Sequence, residues 1–248
     1  MINILLWCDE KLSHLKQNNV EIKNGIPQLS KDDLYTDVPK KMTTFAYRND
    51  VSDSDKKETI LTFFMYEEKL WPRLKTIDDD IKIMSEYGGI SGFDLSPCIG
   101  MLKPRQRMSI LINAIYSSYC ALKGVKVLAN YRAGDFSTVN LADYFPNNNQ
   151  FIVGNLGCNR NGFKNYGYYM LIQVLRKKNP SNIYFFGGIS KKEAEEYLNT
   201  SLNFIITFPD RRNRVRNDSK AYIYYLKNEK VVKELFEQDY KGGCNCGC

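Results

Sequence analysis

The stretch GGISGFDLSPCIGMLKPRQRMSILINAIYSSYCALKGVKVLANY, from Gly88 to Tyr131, decides how the chain folds. Its opening GISGFDLS is short, apolar and bounded by glycine and proline, which predicts a strand. After Pro104, the positions Ile110, Leu111, Ala114, Ile115, Ser118 and Leu122 share one broad face of a helix that stops at Gly124. VKVLANY (125–131) then reads as a strand again. Strand, helix and strand in succession is the unit from which parallel sheets are built.

The same rhythm extends both ways. Upstream lie KMTTFAY (41–47) and TILTFFMY (59–66), then a helical pattern at Leu74, Ile77, Ile81 and Met84 that ends at Gly88–Gly89. Downstream, a short helical patch at TVNLADYF leads to the strand QFIVGNLG (150–157) and the helix YGYYMLIQVLRKK. NIYFFGG (182–188) is a strand, followed by SKKEAEEYLNTS, where Ser190 and Glu193 have capping-box spacing. LNFIITFPD (202–210) and KAYIYYLK (220–227) are the last strands, before the helix EKVVKELFEQDY. The runs FIVG, IYFF and FIITF are continuously apolar, as in strands buried on both faces of a parallel sheet. Eight strands in 248 residues predict an α/β fold, a (β/α)8 TIM-like barrel, with an open doubly wound sheet as the alternative.

Three segments follow from this pattern: residues 1–40 as an N-terminal cover or extension, 41–240 as the barrel-like domain, and 241–248 as a flexible cysteine-rich tail. NGIPQLSKDDLYTDVPKK is polar with two prolines and reads as loop, and RNDVSDSDKKET (48–59) as a charged linker. Hydrophobic residues make up 43% and charged ones 25%, ordinary for a globular chain with a sizeable core. No apolar run approaches the ~20 residues that cross a bilayer. The opening MINILLWCDEKL is too short an apolar run and lacks a basic leader, so a cytoplasmic protein is expected.

The net charge of +7 is a mild bias, and its densest cluster is Arg211 to Arg216. Of seven cysteines, Cys8, Cys98, Cys120 and Cys158 are scattered singly, which suggests reduced thiols. The one histidine, His14, is read as a surface residue. Its place outside the strand–helix rhythm argues against a Ser-His-Asp triad, and a single histidine excludes a multi-histidine metal site and a nuclease built on paired histidines.

LTFFMYEEKLWPRLKT, the Gly88–Asp135 stretch, FIVGNLG and IYFFGG together carry a resemblance. Residues 60–190 resemble a domain family of unknown function found in bacteriophages and other mobile elements. That family has an acidic pair before an aromatic-rich helix with Trp, a Pro-Asp-Phe-Ser strand end, a helix beginning near Gln, and Gly-ended strands. Trp71, Asp94, Ser96, Gln106, Gly124, Gly157 and Gly187 match, and Glu67 and Glu68 stand where the acidic pair belongs. Phe93 and Ala129 replace prolines, and Arg132 lies near the place of a Trp. The resemblance implies a mobile-element origin and supplies no mechanism.

In parallel α/β proteins, ligands bind outside the carboxyl ends of the strands. Those ends carry Glu67, Asp94, Ser96, Tyr131, Arg132, Asn155, Gly187, Gly188 and Asp210, followed by Arg211 and Arg212. Glu67, Asp94 and Asp210 supply oxygen ligands suited to a divalent cation such as Mg2+. The plainer alternative has Asp94 and Ser96 end a strand and cap the next turn. Gly187–Gly188 before Ser190, with the arginines after the next strand, suits an anion. Tyrosines in NYGYYM and AYIYYL offer rings to a base, or serve as amphipathic core. Cys244, Cys246 and Cys248 in KGGCNCGC suit a soft metal or redox exchange, or form a plain flexible end. The expected ligand is a small nucleotide-like anion or a nucleic-acid end, captured by a binder; the alternative is a metal-dependent phosphoesterase or nucleotide hydrolase.

Overall fold

The computed structural model describes residues 2–98, 100–154, 177–186, 204–208 and 222–226. Helix α1 (Ile4–Gln17) opens the chain, capped by the Asn3 side chain, which accepts from the Leu6 N–H. It buries Trp7, Cys8 and Leu15. Strands β1 (Ile22–Lys23) and β2 (Ile26–Pro27) pair antiparallel around Asn24–Gly25, whose φ angles of 52° and 78° make a type I′ turn. The N-terminal extension therefore contains a helix and a hairpin, and the hairpin's second strand falls at the start of the stretch 24–41 read as loop. His14 is not a surface residue either: it is half-buried, with its ring 5.5 Å from that of Tyr119.

The fold is mixed α/β. Strands β3 (Lys41–Thr44), β4 (Thr59–Thr62), β5 (Gly89–Ser91) and β6 (Val127–Leu128) form one four-stranded sheet, parallel throughout. Strands β7 (Gln150–Gly154), β8 (Asn182–Phe186), β9 (Phe204–Phe208) and β10 (Tyr222–Leu226) form a second. A parallel bridge between Ala129 and Phe151 joins the two, with the Ile152 N–H donating to the Ala129 carbonyl at 2.8 Å. Each of the eight strands from β3 to β10 lies within its predicted range, beside its neighbour in sequence.

Two corrections follow. β10 runs antiparallel to β9, so the sheet is not the all-parallel one of a (β/α)8 barrel. No pairing of β10 with β3 closes a barrel among the described residues. The direction of β10 has a readable cause. A parallel return needs a covering crossover, usually a helix, and residues 209–221 are arginine-rich with no apolar helical repeat. The doubly wound alternative fares no better, since the strands follow chain order without the reversal that such sheets have.

Between β4 and β5, the predicted helix is broken. Helix α2 (Glu67–Leu70) passes into a 3₁₀ turn, Trp71–Leu74, and then α3 (Ile77–Met84). Pro72 lacks the N–H that a continuous helix would use there. The charged segment 48–59 is likewise not a bare linker: residues Phe45–Asp50 and Asp53–Glu58 form two 3₁₀ turns.

Helix α4 (Lys103–Leu122) lies over the convex face of the first sheet. It is buried on nearly every side rather than on one face, because α1 and the β1–β2 hairpin pack over its back. Its buried polar residues have a purpose. Asn113 accepts from the Leu95 N–H at 2.8 Å and donates to the Leu95 carbonyl at 2.9 Å, as a neighbouring strand would. Ser117, one turn on, accepts from the Phe93 N–H at 3.0 Å. The chain past β5 thus exchanges strand pairing for side chains of α4, which is why β5 is shorter than predicted.

The sheet is strongly curled. Phe64, just past β4, and Phe186, at the end of β8, have ring centroids 5.7 Å apart. Three strands lie between β4 and β8, and at about 4.8 Å per strand a flat sheet would separate them by roughly 19 Å. The concave face holds its own core of Met42, Ile60, Phe64, Leu128, Ile152, Tyr184 and Phe186, with Tyr35 and Val38 packed on it. Residues 33–38 enter at the amino ends of the strands. Leu34 bridges Val127 beside the β6–β7 junction, and the Gln150 side chain donates to the carbonyls of Thr36 and Asp37.

Gly154 is the point of closest approach. A Cβ there would lie 2.4 Å from the Phe64 ring. Gly154→Ala should destabilise the protein by about 1–3 kcal/mol through overpacking, read from urea denaturation. Unchanged stability would mean that Phe64 does not lie across β7.

Candidate functional site

Side chains alternate along a strand, so the concave face can be followed to the carboxyl ends. Met42 and Ile60 belong to the concave core, and Thr44 and Thr62, two residues further on, share that face as a register pair. Leu128 leads in the same way to Asn130 and Arg132, and Ile152 to Gly154. One end of the curled sheet therefore gathers Thr44, Thr62, Phe64, Asn130, Arg132 and Phe186.

Asp94 completes the group. Its Oδ1 accepts from Asn130 Nδ2 at 2.8 Å and from Arg132 Nε at 2.5 Å, and its Oδ2 accepts from Arg132 Nη2 at 2.9 Å. The Asp94 and Arg132 side chains are only 5% and 10% exposed. This is a bidentate pair out of water, the geometry for which a planar guanidinium is suited. The guanidinium carbon lies 6.0 Å from the Phe64 ring centroid. Tyr144, buried close enough to feel the Asp94 charge, has its phenol pushed well above the ordinary range, chiefly by desolvation and then by that carboxylate. The buried hydroxyls of Thr44, Thr62 and Tyr144 have no hydrogen-bond partner among the described residues.

The loops behind this group are braced. Gln106, fully buried in the first turns of α4, donates from Nε2 to Asp135 Oδ2 at 2.8 Å and to the Met101 carbonyl at 2.7 Å. Its Oε1 accepts from the Asp135 N–H at 2.7 Å. The fit leaves no space at Gly134, where a Cβ would lie 1.9 Å from Gln106 Oε1. Thr138 accepts from the Gly134 N–H at 2.8 Å. The loop that carries Arg132 is thus tied to the start of α4. On the other side, Glu67 accepts from the Ser96 N–H at 3.2 Å.

Of the predicted site residues, Asp94 and Arg132 are brought into direct contact, and Glu67 meets Ser96. Tyr131 faces the other way: it lies in the helix-side core and donates to the Val139 carbonyl at 2.8 Å. Asn155, Gly187, Gly188, Asp210, Arg211, Arg212, Cys244, Cys246 and Cys248 lie outside the described residues. Asp94 is more than a strand-end cap, since its carboxylate bonds side chains from the next strand. Among the described residues, no three histidine, cysteine, aspartate or glutamate side chains cluster as metal ligands. Cys8 and Cys120 are buried thiols pushed upward by desolvation, Cys8 to about 11, so neither is a ready nucleophile.

Asn130, Thr44, Thr62 and Tyr144 escaped the sequence reading. For Asn130 the signal was present: in LANYR, strand alternation pairs Arg132 with Asn130, not with Tyr131.

No family model, curated protein or solved structure matches the chain. No helix among the described residues is long and apolar enough to cross a membrane.

Asp94→Ala leaves a buried guanidinium unpaired and should cost about 3–5 kcal/mol, whereas the joint replacement Asp94→Leu with Arg132→Met should stay near wild-type stability. Chemical denaturation of both variants separates the cases. Equal losses in the two would show that the pair is not desolvated.

Proposed function

We propose that the curled sheet is a partial β/α barrel whose carboxyl end binds a small, anionic, nucleotide-like ligand. The observation that carries this reading is the desolvated Asp94–Asn130–Arg132 group at the carboxyl ends of β5 and β6, flanked by the rings of Phe64 and Phe186. A buried ion pair is at best near neutral for stability when compared with apolar packing. Its place at the end of the sheet where α/β proteins hold ligands therefore argues for a role beyond stability.

The loops that follow β7, β8 and β9 in sequence carry Asn155, Gly187, Gly188, Asp210, Arg211 and Arg212. Glycines that admit a close backbone approach and arginines with a planar fork suit the phosphate end of such a ligand. The resemblance to a phage and mobile-element family adds a setting. A mobile element would use such a binder to sequester a host nucleotide or to hold a nucleic-acid end.

Metal-assisted hydrolysis through Glu67, Asp94 and Asp210 has less support. It would need the Asp94 oxygens for a cation, and they already accept three hydrogen bonds from Asn130 and Arg132.

The test is thermal denaturation of the purified protein with nucleoside mono-, di- and triphosphates, each with and without Mg2+. A ligand present at 100 times its Kd stabilises by about 2.7 kcal/mol, a readily measured rise in Tm. The expected result is such a rise with the ligand recovered intact. No rise with any nucleotide overturns the reading, and turnover would favour the hydrolase.

A further inference from the structure

We infer that the hydroxyls of Thr44 and Thr62 form a neutral floor of this site, one that takes the uncharged nucleoside end of the ligand rather than its phosphate. The inference rests on the ligand reading above and refines it.

The two threonines are a register pair at the carboxyl ends of β3 and β4. Both are buried on the concave side, and neither hydroxyl has a partner among the described residues. A buried hydroxyl left unsatisfied costs stability. Valine has nearly the same shape, carries no such cost and is at least as well suited to a strand. Two neighbouring hydroxyls that the fold itself does not use point to a partner from outside the fold.

The chemistry of that partner follows from the charges around it. Asp94 and Arg132 offset one another's charge as an ion pair. Asn130 is neutral, and the raised Tyr144 phenol keeps its proton at neutral pH. A phosphate would meet no net positive charge among these groups. A ring bearing hydrogen-bonding groups would find hydroxyls at the ends of β3 and β4 and, on the same concave face, the aromatic side chains of Phe64 and Phe186. The floor therefore suits a nucleoside, with the phosphate directed outward.

The experiment compares wild type with Thr44→Val and Thr62→Val, using the four ribonucleosides, their 5′-monophosphates, inorganic phosphate and pyrophosphate as probes. Both variants should melt at or above the wild-type temperature. Each should bind nucleosides and nucleotides about tenfold more weakly, the loss expected for one hydrogen bond at 1.4 kcal/mol per decade. Pyrophosphate binding should not change. A lower Tm in the variants would show that the hydroxyls serve the fold and would overturn the inference. Unaltered nucleotide affinity would overturn it too. A wild type that answers to phosphate or pyrophosphate but to no nucleoside or nucleotide leaves anion binding standing and removes the floor. A wild type that answers to none removes both.

Discussion

Phe64 reaches across the concave face to within 5.7 Å of Phe186, over Gly154 of β7, where a Cβ would run into the Phe64 ring. This contact spans strands that a flat sheet would hold far apart, so it sets the curvature of everything around it. Curvature in turn gives the concave side a core made of strand residues, while helices cover the convex side. It also brings the carboxyl ends of β3, β4, β6, β7 and β8 around one space. Without the curl, Thr44, Arg132 and Phe186 would be spread along the edge of a flat sheet.

The strands were legible because their signals are local. Continuous apolar runs such as FIVG and IYFF can be read without knowing what lies beside them, and each became a strand. Direction was less legible, since nothing in the apolar run of β10 tells a parallel neighbour from an antiparallel one, and β10 pairs antiparallel with β9. In the N-terminal extension, Ile4, Trp7, Cys8 and Leu15 carry a helical spacing, but the partner they pack on, α4, lies far along the chain and no local pattern names it. Asn113 and Ser117 carry no signal in the apolar spacing of the helix. Their role as substitute strand partners depends on a segment eighteen or more residues away, which no periodicity encodes.

At the site, the carboxyl-end rule found Asp94 and Arg132 but could not find their relation. Both were read as facing a ligand independently, and instead they face each other. That difference changes the electrostatics. A free aspartate would invite a cation and a free arginine a phosphate, whereas in the ion pair each charge is offset by the other. The hydroxyls of Thr44 and Thr62 are invisible to a search for charged residues, and they matter only because the fold leaves them unsatisfied.

Glu67, Asp94, Gln106 and Asp135 share one physical property. Glu67 braces the loop after β4 to Ser96 in the loop after β5. Asp94 braces that loop to Arg132 after β6. Gln106 and Asp135 then tie the β6 loop to the start of α4, and Asp135 also accepts from the Gly100 N–H at 3.2 Å. The braces form a chain around three consecutive strand ends, each link a side chain spent on holding a neighbouring loop. Apolar packing would hold these loops at less risk to stability, but it would fix them less directionally than hydrogen bonds do. A rim built this way holds its side chains in place before anything binds, so little ordering remains to oppose association. The polar chain is therefore better understood as a frame for the site than as a set of separate contacts to a ligand.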